Sequence, residues 1–116
     1  DARKEWAVHH EQKINREVLS RLKMMQAFFR ECRESMRSCA SAYPVEAQRR
    51  TIVQELMIAM HSYDMDTHEV TTALHMTDGE LRKVVTAGEF IWDAKLEPVY
   101  PRDTFWWLYG QPESDS

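Results

Sequence analysis

The chain has 116 residues, 43% of them hydrophobic and 29% charged, which supplies apolar side chains for a packed domain and excludes a wholly disordered polymer. Three glycines and four prolines are too few for an all-β sandwich or barrel, which turns roughly every 8–12 residues, so the chain reads as mainly α. The net charge of −4 is uneven: residues 1–43 carry nine Lys/Arg against six Asp/Glu, and residues 44–116 carry six against thirteen, which argues against a uniformly basic nucleic-acid coat.

Residues 2–42 contain neither Gly nor Pro. Val18, Leu22, Met25, Phe29, Cys32, Met36 and Cys39 alternate spacings of four and three, a heptad seam that predicts one long helix over 1–43. Such a helix, roughly 60 Å long, is too extended for the remaining chain to cover its seam. The expected cover is a second copy, in a coiled-coil-like homodimer with Val18, Leu22, Met25, Phe29, Cys32 and Met36 at the interface. On a straight helix Cys32 and Cys39 stand roughly 10 Å apart, beyond the reach of a disulfide, and two free thiols imply a reducing, cytoplasmic setting. Arg16, Lys23, Arg30 and Arg37 recur every seven residues as a basic stripe beside the seam.

Tyr43-Pro44 is expected to end that helix, because the residue before Pro leaves the α region. A second helix follows over 45–62, with Ile52, Val53, Leu56, Met57 and Met60 on its apolar face. Tyr63-Asp64-Met65-Asp66 breaks the pattern, and two short helices are expected at 67–75 and 78–87. Thr77-Asp78-Gly79-Glu80 reads as a capping box for the second of them, and Gly88 as its C-terminal stop. In the tail, Phe90-Ile91-Trp92 and Phe105-Trp106-Trp107-Leu108-Tyr109 are either strands of a short hairpin or an irregular link ending in a helical turn between Asp103 and Gly110. The expected organisation is a dimerisation helix at 1–43, a helical module with an aromatic tail at 44–110, and a disordered end at 111–116.

The segment from Thr67 to Ala87 resembles the helix-turn-helix of bacterial DNA-binding regulators. Val70, Leu74, Met76, Leu81 and Val84 stand at the buried positions of that motif and Thr77 at the cap of its second helix, with His75 where the turn usually carries Gly. The resemblance implies a trihelical module whose second helix enters the major groove of double-stranded DNA. Carried over by position, Thr77, Asp78, Gly79, Arg82 and Lys83 would face the bases and phosphates, with Arg49 and Arg50 on the backbone from the preceding helix.

Other features are read more plainly. His61, His68 and His75 recur every seven residues but straddle a break, so they are expected as solvated or capping histidines, and no metal site is expected. The methionines fill gaps in helix packing, and the tail aromatics form core or interface. No phosphate loop, nucleophile elbow or apolar run of membrane-spanning length is present, so neither enzyme chemistry, a cofactor nor a membrane partner is expected. The leading expectation is a small dimeric transcriptional regulator acting by operator occupancy. The alternative is a non-enzymatic adaptor that docks another protein through the basic-striped helix and the acidic C-terminal module.

Overall fold

A computed structural model of the chain describes residues 2–113, with side chains from His10 onward. It is mainly helical: α1 (Ala2–Glu31), α2 (Met36–Ser62) and α3 (His68–Val84) are followed by strands β1 (Thr86–Phe90) and β2 (Tyr109–Gln111), joined by a largely irregular aromatic segment. No described helix is long and apolar enough to cross a membrane.

The long helix expected over 1–43 is two helices. α1 stops at Glu31, Cys32–Glu34 forms a single 3₁₀ turn, and Ser35 becomes extended (φ −153°, ψ 94°). The Ser35 hydroxyl oxygen then accepts from the Ser38 amide at 3.3 Å and caps the start of α2. No Gly or Pro marks this break. What accompanies it is a disulfide between Cys32 and Cys39, whose Cα atoms lie 5.1 Å apart. Seven-residue spacing forbids that bond on a straight helix, so making it requires the chain to fold back. Both cysteines are buried, and neither is a free thiol, which removes the argument for a reducing compartment.

The reversal gives the heptad seam a partner within the same chain. α1 and α3 run side by side in the same direction. Asn15 Nδ2 donates to the Asp66 carbonyl near the start of α3, Gln26 Nε2 donates to Thr77 Oγ1 at its middle, and Arg30 pairs with Glu80 near its end. Val18, Leu22, Met25, Phe29 and Cys32 are each at most 3% exposed, in one core with Val53, Met57, Val70, Leu81 and Val84. Met36 is half-buried against the same core. The premise that only a second copy covers this seam therefore fails, and the boundary expected after residue 43 falls inside α2.

Pro44 likewise does not end a helix; it lies within α2. Its neighbours Tyr43 and Ala47 are both buried, and that packing overrides the local preference. The inward face of α2 is turned from the expected one. Val53, Met57 and Met60 are buried as expected, but Ile52 is 38% exposed, and Glu46 and Arg50 point inward.

The two short helices expected at 67–75 and 78–87 are one continuous helix, α3. Asp66 Oδ1 accepts from the His68 amide at its start, as the Asp-Thr-His-Glu run anticipates. Thr77 is fully buried and caps nothing. Its hydroxyl donates to the Ala73 carbonyl one turn back at 2.9 Å, which satisfies it inside the helix, and also receives Gln26. With Thr77 inward, Met76 turns out to 55% exposure. Gly88 lies in β1, and Val85 closes the helix.

The tail takes something from each expected alternative. β1 and β2 pair antiparallel, with Thr86 opposite Gln111 and Ala87 opposite Gly110, while Trp106–Leu108 makes one 3₁₀ turn before β2. Gly110 has φ +139°, and a Cβ there would lie 2.2 Å from the Thr86 carbonyl oxygen, so the close approach of the strands requires glycine. Of the end expected to be disordered, Gln111 is in β2 and Pro112 is buried, while 114–116 lie outside the described residues.

Two outcomes test this fold. Gly79 sits mid-helix on the exposed side, and a methyl group added there would meet nothing within 4 Å, so Gly79→Ala is expected to stabilise by about 0.5–1 kcal/mol in urea denaturation; a loss would place a turn there instead. Cys39→Ser opens the loop that the disulfide closes and is expected to cost about 2–3 kcal/mol. Unchanged stability in the same assay, with and without a dithiol reductant, would show that the bridge does not hold the hairpin.

Candidate functional site

The residues assigned to DNA contact by position do not share one surface. Arg50 is 3% exposed, and its guanidinium lies in the interior. It makes a two-bond fork to Asp78 (Nε to Oδ1 2.8 Å, Nη2 to Oδ2 2.9 Å), donates through Nη1 to Gln54, and stacks 3.9 Å from the centre of the Trp107 ring. Asp78 is thereby fixed against α2. Thr77 is buried between α3 and α1. Arg49 is exposed and reaches back to Glu46 at 2.6 Å, and Lys83 approaches Glu80 at 3.5 Å. Gly79 is exposed without a side chain to contribute. Arg82 is exposed too, and its guanidinium lies 3.9 Å over the Trp106 ring.

The aromatic tail explains why Arg50 and Arg82 point where they do. Trp107 is fully buried against α2: its indole N–H donates to Thr51 Oγ1 at 2.9 Å, and its carbonyl accepts from the buried Tyr43 hydroxyl. Desolvation pushes the Tyr43 hydroxyl well above its ordinary pKa, so it stays a donor. From Trp107 a chain of edge-to-face contacts runs through Phe105 and Tyr100 to Trp92. Trp106 meets Trp107 edge to face and carries the Arg82 guanidinium over its own ring. The expectation that these aromatics lock the tail to the core agrees with this arrangement.

Because α1 and α3 run in parallel, like charges collect at the two ends of a body about 60 Å long. Glu11, Asp66 and Glu69 line one cleft where α3 begins, together with Asn15 and Arg16. At the other end α1 turns into α2 beside the last turn of α3. Arg30, Arg33 and Arg37 of the hairpin are all exposed there, and Arg82 and Lys83 lie on the neighbouring helix end. Arg30 shares Glu80 with Lys83. The seven-residue stripe Arg16, Lys23, Arg30 and Arg37 thus stays on the outside although the helix it was read on is broken. Arg102 joins the basic end from the tail, where its guanidinium lies 5.3 Å over the Tyr109 ring and donates to the Gly88 carbonyl at 3.3 Å. Sequence reading missed Arg102, Trp106 and Tyr109 as a group. The available signal was an arginine beside an aromatic-rich run, without the register that brings Arg82 to it.

One acid is misplaced by ordinary rules. Glu46 is 5% exposed; Arg49 holds Oε1, and Oε2 is buried without a hydrogen-bond partner. Desolvation raises its pKa above the ordinary 4.5, and the nearby Arg49 offsets only part of the rise. The folded state then binds the proton more tightly than the unfolded one, so stability falls as pH rises through the window starting near 4.5. Glu46→Gln is expected to flatten that slope and to raise stability at neutral pH. Denaturation curves from pH 4 to 8 check this, and a destabilised variant at pH 7 would mean that the Arg49 pair outweighs burial.

Among the described residues no three His, Cys, Asp or Glu side chains converge as a metal site requires. The chain matches no family model, no curated protein and no solved structure.

Proposed function

We propose that this chain is a non-enzymatic interaction module that docks onto an acidic protein partner through the basic end of its helical hairpin. The observation that carries the reading is the exposed arginine set at that end, Arg30, Arg33 and Arg37 with Arg82 and Lys83, on a chain whose net charge is negative. A cationic end on an acidic body steers an acidic surface to one place and repels it elsewhere.

The same surface is poorly suited to a DNA groove. Its cations are interleaved with Glu31, Glu34 and Glu80, which a rigid row of phosphates cannot avoid. A flexible acidic segment places each carboxylate against a separate guanidinium. Arg50 and Asp78, needed for groove contact by the helix-turn-helix reading, are engaged with each other. Formation of the Cys32–Cys39 bond also favours an oxidising setting over the cytoplasm.

Poly-L-glutamate and mixed-sequence duplex DNA, each titrated at low and moderate salt, separate the two readings. Poly-L-glutamate is expected to bind at low salt and to weaken as salt is added, while the duplex gives no gel shift. A duplex shift that falls steeply with salt, without retention of poly-L-glutamate, would instead support the DNA regulator.

A further inference from the structure

Between the end of α3, β1 and the tail lies a cleft of about 250 Å³ lined by Arg82, Val85, Ala87, Arg102, Trp106 and Tyr109. Two guanidiniums reach it from different parts of the chain, and each lies over an aromatic ring, its central carbon 3.9 Å from the ring centre for Arg82 on Trp106 and 5.3 Å for Arg102 on Tyr109. A cation–π contact restrains a guanidinium while consuming none of its N–H donors, which stay available to an anion. Arg102 commits Nη2 to the Gly88 carbonyl. Among the described residues neither arginine is within ion-pair distance of a carboxylate, whereas Arg30, Arg49 and Arg50 all are. The Tyr109 hydroxyl is already donated to the Tyr100 carbonyl, so the ring serves here as a platform only.

We infer that this cleft is a specific receptor for a side-chain carboxylate of an acidic protein segment, a conclusion that rests on the docking role proposed above and names its anchoring contact. Two guanidiniums lining one cleft supply N–H donors for the two oxygens of one carboxylate. Val85 and the Ala87 methyl then face the methylene stem that carries it. The ligand is a monoanion, because the cleft lies just past the C-terminal turn of α3, where the partial negative charge of the helix end opposes a phosphate dianion more strongly. Because Arg82 is already restrained by the Trp106 ring and Arg102 by its bond to the Gly88 carbonyl, less side-chain freedom is lost on binding, and the contact gives the otherwise diffuse basic end a fixed register.

The test is an NMR titration of the ¹⁵N-labelled full chain with a capped hexaglutamate peptide and, separately, with inorganic phosphate. Peptide binding is expected to shift the Trp106 indole and Arg82 Nε signals, with phosphate at equal concentration shifting them far less. Arg82→Gln and Arg102→Gln are each expected to weaken the peptide about tenfold, and Arg82→Lys to recover only part of the loss, while Lys23→Gln on the outer face of α1 leaves affinity nearly unchanged. Both arginines are exposed, so the variants are expected to keep the parent spectrum elsewhere. Equal weakening by all three Gln variants, or shifts confined to the hairpin arginines, would overturn the cleft and leave the docking role standing. Equal response to phosphate would overturn the carboxylate assignment. Absence of binding by both the hexapeptide and poly-L-glutamate would overturn the docking role itself.

Discussion

A guanidinium that is 3% exposed cannot stay in an apolar interior without partners, and Arg50 draws its partners from three parts of the chain. Asp78 arrives from α3, Trp107 from the tail and Gln54 from the next turn of α2. Satisfying this one charge therefore fixes how α2 faces α3 and where the tail crosses both. Trp107 is held a second time by Thr51 and Tyr43, so the strand pair and the aromatic tail inherit their position from α2. The register that carries Trp106 to Arg82 follows from the same anchor, since the two tryptophans are adjacent in sequence and meet edge to face.

The hairpin is the second constraint. Folding α1 back at Cys32 lets the α1 seam pack in the same core as α2 and α3, and burial of side chains such as Leu22, Met25 and Phe29 contributes on the order of 1.5–3 kcal/mol each. The reversal also moves charge. On a straight helix the basic stripe would extend along one side of a rod, whereas here its C-terminal arginines gather beside the end of α3. Fold and proposed function are linked through that turn: the disulfide that closes the core also concentrates the cations.

Much of the core was legible in the sequence, because Val18, Leu22, Met25, Phe29, Cys32 and Cys39 keep a strict seam and all are buried. What covers them was not, since a heptad pattern says that a face is apolar without saying which chain packs on it. The break at 32–35 carried no local signal: the turn has no Gly or Pro, and the bond that requires it is impossible on the helix the periodicity describes. Thr77 misled for a related reason. A threonine followed by Asp, Gly and Glu is a good cap in isolation, but its hydroxyl is equally satisfied by the carbonyl of Ala73 once tertiary contacts with Gln26 hold it inside. For the candidate site, Arg82 was found by its place on the helix and Lys83 with it. Their companions on the tail were hidden, because Arg82 meets Trp106 through the fold and not through any sequence period.

Arg50 and Asp78 serve as an internal joint between α2 and α3 and not as a binding surface. A double-mutant cycle in urea, with Arg50→Met, Asp78→Leu and the combined variant, measures this directly. Arg50→Met alone is expected to cost about 3 kcal/mol, because it leaves the Asp78 carboxylate largely buried and unpaired. The combined variant is expected to lose distinctly less than the sum of the two single changes, with a coupling of more than about 1 kcal/mol. Small and strictly additive losses would contradict the joint and return both residues to the surface.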